Sequence, residues 1–388
     1  MRFINRTLLR KIIILLAPLA AVFLASPVDR GIAQKKQDET RSVMTWEHSD
    51  DGWRQRLEIR GKAEFDAEYT DIKDVSEGGV VRIEEVRNGQ SRRYEVRRDV
   101  GGQLTRAFFV NGANRELDAA AQSWVAQMVL NAVRQGGIDA DKRVQTILSR
   151  RGVQGVLQEI DQIKSDYAKR RYFESLIKQA NLDEKALQST LAQAARQLSS
   201  DYEQAQLLIG VAPILAGKNG AVPAFFQGVN TIDSDYERGR VLKTLLKRVE
   251  PSKDLLTQVA TSTKSIASDY EKAGVLKAVA AVYLDDPSLR GVFFQTVNTI
   301  SSDYEHRRVL SALIKAKNLG EEVLTQLLDS SAGISSDYEK ATLLLEVSSV
   351  YARDTRLRSA FLKTVETIKS DYERGRVLSA LLKNKQIG

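Results

Sequence analysis

The stretch "ISSDYEHRRVLSALI", residues 300–314, carries a polar word, S-D-Y-E, that returns along the second half of the chain. It returns as "IKSDYAKRRYFESLI" from Ile163, "LSSDYEQAQLLIGVA" from Leu198 and "IDSDYERGRVLKTLL" from Ile232. "IASDYEKAGVLKAVA" from Ile266, "ISSDYEKATLLLEVS" from Ile334 and "IKSDYERGRVLSALL" from Ile368 complete the set. The serines Ser165, Ser200, Ser234, Ser268, Ser302, Ser336 and Ser370 are separated by one step of 35 residues and five of 34. A period near 34 is the signature of stacked helical hairpins. Phe294, Val297 and Ile300 before the word, and Val309, Leu310 and Ile314 after it, give each unit two apolar helical stripes. Gly217, Gly220, Pro251, Pro287 and Gly320 break the chain between units.

The letters predict a joint. Ser200, Ser234, Ser268, Ser302, Ser336 and Ser370 stand as N-caps, with Glu203, Glu237, Glu271, Glu305, Glu339 and Glu373 three residues on. That is a capping box, in which serine accepts from the glutamate N–H and the glutamate carboxylate reaches back to the serine N–H. The aspartate at the first helical position adds negative charge at the positive end of the helix dipole. The isoleucine or leucine two residues before each cap is expected to close the joint by packing on the tyrosine. The first copy has Ala168 where the others have glutamate, as expected where the array meets a different domain. The competing reading makes the Asp-Tyr pairs a site, for sugars by stacking or for cations by carboxylate.

A second periodicity runs at twice the spacing. Arg171, Arg240, Arg308 and Arg376 recur at one helical position in alternate units, with Lys169, Arg238, Arg307 and Arg374 beside them. Such charge reads either as a solvated face or as a basic ladder for an acidic partner or anionic polymer.

Upstream the texture changes. Residues 53–112 are rich in β-branched and aromatic residues, and Tyr94 and Val96 alternate with charge. Arg60-Gly61, Gly78-Gly79, Asn88-Gly89 and Gly101-Gly102 supply turns, and Asn-Gly suits a type I′ hairpin turn. The reading is an antiparallel meander of about five strands, covered by a helix over Asp118–Gln135 that carries Trp124, Met128 and Val129 at helical spacing. Residues 140–152 and 153–163 give two more helices. Residues 34–52, polar and aperiodic, read as a linker.

The first 33 residues have the form of a signal peptide: a basic start, the apolar run Ile12–Ala25 and small residues ending at Ala33. The run is shorter than a membrane helix requires, and an uncleaved anchor is the alternative. Without residues 1–33, which hold five basic side chains and one acid, the net charge falls from +8 to +4. A mildly basic exported protein is a poor candidate for nucleic acid. The absence of cysteine excludes disulfides and thiolate metal sites, and two histidines leave little for a metal centre or a Ser-His-Asp triad. No zincin, nucleophile-elbow or dinucleotide motif occurs, so neither catalysis nor a cofactor is expected.

The period matches tetratricopeptide repeats, but their Trp-Leu-Gly-Tyr markers are missing. The units are more similar to short HEAT-type hairpins. The S-D-Y-E-[KR]-x-x-[VL]-L wording resembles repeat tails of bacterial envelope proteins, some of which follow membrane-embedded zinc peptidases of the β-lactam-sensing kind. The resemblance covers residues 151–388; the peptidase motif is absent, and what it implies is an envelope sensing or scaffolding module. The expectation is therefore an α+β chain: an N-terminal antiparallel sheet (domain 53–135) with its covering helix, then a right-handed α-solenoid of seven hairpins (136–388). The function expected first is a non-catalytic interaction scaffold for another envelope protein in the periplasm or outside the cell. A binder of anionic polymer comes second and an enzyme seated in the sheet third. The final unit copies an internal one at Val377, Leu378, Leu381 and Leu382, which raises an end-to-end homodimer as a further expectation.

Overall fold

The computed structural model describes residues 34–38, 41–50, 52–283, 286–316, 319–351 and 357–386. The signal-peptide reading of residues 1–33 lies outside them. The described residues divide into two compact units, those within 34–63 with 74–117, and those within 64–73 with 118–386.

The first unit is built on a seven-stranded antiparallel sheet in the order β1-β2-β3-β6-β7-β8-β9. The strands are β1 (Gln34–Asp38), β2 (Arg41–Asp50), β3 (Trp53–Arg60), β6 (Val80–Arg87), β7 (Gln90–Arg98), β8 (Leu104–Val110) and β9 (Ala113–Arg115). Between β3 and β6 lies a separate hairpin, β4 (Ala63–Phe65) and β5 (Ile72–Val75). Alternation sorts the faces: Trp46 pairs with Leu57, Leu57 with Ile83, Ile83 with Tyr94 and Tyr94 with Phe108, all buried. One residue along, Glu58, Arg82 and Glu95 form a row on the charged face. Asn88-Gly89 takes positive φ at both positions, as a type I′ turn requires, and Asn111-Gly112 does the same.

Two expectations fail here. Residues 34–52 are not a linker, since most of them form β1 and β2, and Trp46 is fully buried. Met44, Trp46 and His48 alternate with polar residues, a strand pattern hidden by the polar density around it. The helix expected to cover the sheet exists as α1 (Ala119–Gly136), but it counts with the second unit and moves the boundary to residue 117. Its last turn is tied to the helices after it: Gln135 Oε1 accepts from Lys164 N–H at 2.7 Å and Ser165 N–H at 3.3 Å.

The second unit is the repeat array. α2 (Ala140–Ile160) is broken at Gly152, whose φ of 63° and ψ of −168° split it into the two helices expected there. Seven helices start at the aspartate of each word: α3 (Asp166–Gln179), α5 (Asp201–Val211), α7 (Asp235–Arg248), α9 (Asp269–Ala281), α11 (Asp303–Ile314), α13 (Asp337–Tyr351) and α15 (Asp371–Gln386). Their partners are α2, α4 (Glu184–Gln197), α6 (Val222–Asn230), α8 (Lys253–Lys264), α10 (Pro287–Val297), α12 (Glu321–Ala332) and α14 (Arg358–Glu366). Word helices stack on word helices and, from α4 onward, partners on partners. The layers share one buried cluster from Ala140 to Leu381. This is the repeat arrangement of a solenoid, in which each hairpin buries its apolar stripes against its neighbours.

Candidate interaction surface

Each word helix begins as expected, with its serine as N-cap. The Ser200, Ser234, Ser268 and Ser302 Oγ atoms each accept from the N–H three residues on at 3.4 Å, and those of Ser336 and Ser370 at 3.3 Å. The other half of the capping box is not made. The serine N–H donates instead to the aspartate of the preceding word: Ser200 to Asp166, Ser234 to Asp201 and Ser268 to Asp235, each at 2.7 Å. Ser302 donates to Asp269, Ser336 to Asp303 and Ser370 to Asp337, each at 2.8 Å. In all six joints the same carboxylate also accepts the N–H of the residue before the serine. These bonds are shorter than the serine caps and charge-assisted, the stronger class. The aspartate is the staple between units. For Asp337, the Ser370 N–H is the largest influence and holds its carboxyl below the usual range.

At the first copy of the word, Ser165, Gln135 of α1 takes the aspartate's place. The array therefore begins on α1, which is why this helix belongs with it. Replacing Ser302 by alanine should cost about 1 kcal/mol, read as a shift in urea midpoint.

The residue after the glutamate also reaches forward, to the C-terminal end of the next unit's first helix. Lys169 donates to Gln197 O at 2.8 Å, Gln204 to Gly228 O at 2.6 Å, Arg238 to Ser265 Oγ at 2.7 Å and Lys272 to Thr299 Oγ1 at 2.9 Å. His306 meets Ser330 Oγ at 2.9 Å, and Lys340 donates to Thr367 Oγ1 at 3.0 Å. Cations here complement the negative end of the helix dipole. Burial drives the His306 pKa below its ordinary 6.5. A depressed base leaves the unfolded chain binding more protons, so the His306 contribution is complete above that value and is lost as pH falls from it. His306→Gln, which places the Gln204 side chain type at this position, should remove that step from a profile of Tm against pH.

The glutamates, freed from capping, take the arginines. Glu237 pairs with Arg240, Glu305 with Arg308 at 2.7 Å and Glu373 with Arg376, each within its own helix. In alternate units the cation comes from the preceding word helix: Glu203 pairs with Arg170, Glu271 with Lys243 at 3.0 Å and Glu339 with Arg307. The 68-residue alternation is thus an alternation of ion-pair direction. Gly239 belongs to it, because a Cβ there would lie 2.8 Å from the Glu271 carboxylate.

The arginines expected as a basic ladder are engaged within the array. Arg238 is 6% exposed and bonded to Ser265 and the Ile232 carbonyl. Arg374 pairs with Asp371, and Arg171 lies 3.9 Å from Asp141. Arg307, Arg308, Arg240 and Arg376 hold the glutamates named above. Arg308→Gln should consequently lower stability by about 1–2 kcal/mol by leaving the buried Glu305 without its charged partner, and calorimetry measures it.

The tyrosine is the letter left over. Tyr202, Tyr236, Tyr270, Tyr304, Tyr338 and Tyr372 are between 51% and 74% exposed. The isoleucines expected to pack on them, such as Ile232 and Ile300, are buried in the core instead. Arginines lie over the rings: Arg240 is 5.7 Å from the Tyr236 centroid, Arg308 5.3 Å from Tyr304 and Arg376 5.9 Å from Tyr338. At α15, Tyr372 and Arg376 join Leu345, Asp371, Gly375 and Lys383 around an open depression of about 560 Å³. Because stacked word helices start at matching positions, the phenols form a row along the edge where those helices begin.

The sheet unit offers a depression of about 270 Å³ lined by Arg56, Glu58, Arg82, Glu84 and Arg93. Glu58 there is already engaged by Arg60 at 2.6 Å, and Arg82 by Glu95 at 2.9 Å. Comparison with family models, curated proteins and solved structures finds no match.

Proposed function

We propose that the chain is a non-catalytic interaction scaffold of the bacterial cell envelope, exported by its N-terminal segment, and that the tyrosine row is the surface it presents. The observation that carries this reading is the division of labour inside the word. Serine, aspartate, glutamate and the residue after it all serve the array, while an aromatic residue with no such service is kept exposed in six units. Aromatic and arginine side chains together are the composition of protein-binding surfaces. The test is a crosslinking pull-down of the mature protein from its own envelope fraction, beside the variant Tyr270→Ala, Tyr304→Ala, Tyr338→Ala. A partner captured by the parent and lost by the variant supports the reading; equal capture by both overturns it.

Binding of an anionic polymer is the weaker reading, because the arginines face glutamates. The dimer rests on α15, where Val377 and Leu381 are buried but Leu378 and Leu382 are 37% and 64% exposed. Light scattering across a range of concentrations tests it.

A further inference from the structure

The tyrosine row has a length scale and a hydrogen-bonding character. Packed helices lie about 8–10 Å apart, which sets the interval between successive phenols. An extended polyproline II chain advances about 9 Å in each three-residue turn, so its turns come at nearly the interval of the repeats.

The chemistry of the row narrows the ligand further. The phenol oxygens of these tyrosines make no hydrogen bond among the described residues, and the arginines above them have N–H groups beyond those given to glutamate. The acceptors nearby are occupied: the glutamates by cations, and the Asp201, Asp235, Asp269, Asp303 and Asp337 carboxylates by backbone N–H groups. The row therefore offers aromatic faces, phenol hydroxyls and arginine N–H donors. A proline-rich chain brings the complement, with flat apolar rings, free carbonyls and no N–H at its prolines. With the arginines neutralised by glutamate, the row does not select a polyanion.

We propose that the tyrosine row binds a proline-rich polypeptide in the polyproline II conformation, about one ligand turn to each repeat. This rests on the scaffold reading and names its partner class. It is the aromatic mode of proline recognition, spread over a row instead of confined to one groove.

The test is fluorescence anisotropy with the whole mature protein and labelled triproline, hexaproline and dodecaproline. Linked weak contacts multiply, so affinity should rise by about a hundredfold from triproline to dodecaproline. Tyr270→Ala, Tyr304→Ala, Tyr338→Ala should lose most of that gain, with its Tm close to the parent's. Dodecaproline that fails to bind, or binds the variant as well as the parent, overturns the proposal. Tyrosine-dependent binding of cello-hexaose in its place would also overturn it, in favour of a glycan. If dodecaproline fails while the pull-down still captures a tyrosine-dependent protein, the scaffold stands and only the proline assignment falls.

Discussion

Glu159→Gln should be among the most damaging single substitutions in the helical unit, costing about 3–5 kcal/mol, because it removes the only carboxylate from a largely buried trio. Glu159 is 4% exposed and accepts from Arg134 at 2.6 and 3.1 Å and from Arg143 at 2.7 and 3.3 Å. The trio joins the end of α1 to both halves of α2. Arg143 also lies over the ring of Tyr69, 5.0 Å from its centroid, and the Tyr69 hydroxyl donates to Asp139 at 3.0 Å. Glutamine keeps the volume but leaves two cations without a counter-charge, so the loss is electrostatic. Burial pushes the Glu159 carboxyl up, but the hydrogen bond from Arg134 and the charge of Arg143 outweigh it and the pKa ends below the ordinary value. A depressed acid stabilises above its unfolded pKa, so this contribution is present at neutral pH and lost as pH falls through the lower folded value. In urea the variant's midpoint should fall with the m-value unchanged. A loss below about 1 kcal/mol would mean that both arginines find water once the carboxylate is gone.

Asp269→Ala should cost more than loss of the serine cap it supports, about 2–3 kcal/mol against about 1. The Asp269 carboxylate accepts from Ser302 at 2.8 Å and Ser301 at 3.0 Å, two N–H groups that precede α11. Alanine leaves the part-buried Ser302 N–H without an acceptor and frees the loop entering the next hairpin. Because each unit in a stacked array is held by its neighbours, the damage should appear first at the joint between α9 and α11. Amide exchange there should quicken before the flanking units change, and uniform exchange across the array would argue against a local staple.

How far the sequence led can be judged residue by residue. The hairpins were legible because Phe294, Val297, Ile300, Val309 and Leu310 follow helical spacing and the serines mark each second helix. Asn88-Gly89 placed its turn because both positions demand positive φ. The roles within the word were less legible. A capping box and an inter-unit staple use the same letters, and which carboxylate reaches the serine N–H depends on stacking distance, to which spacing along one helix is blind. Asp269 and Glu305 lie 36 residues apart, yet they compete for one donor, Ser302 N–H, and the aspartate holds it. The partners of the basic residues were illegible for the same reason, since Glu271 and Lys243, or Glu339 and Arg307, meet only across two units. The joint expected between the tyrosine and the isoleucine or leucine before each cap is not what the tyrosine makes; its exposure is a property of the edge where the word helices begin. The placement of α1 turned on Gln135, whose side chain imitates an aspartate that no repeat precedes.

Tyrosine is the letter of the word that the fold does not use. Equilibrium urea unfolding of the variant Tyr270→Ala, Tyr304→Ala, Tyr338→Ala tests it most directly. Three exposed side chains on a solvated edge should together change the unfolding free energy by less than about 1 kcal/mol, with the same m-value. A loss equal to or greater than that of Asp269→Ala would place the tyrosines in the joint and contradict the account.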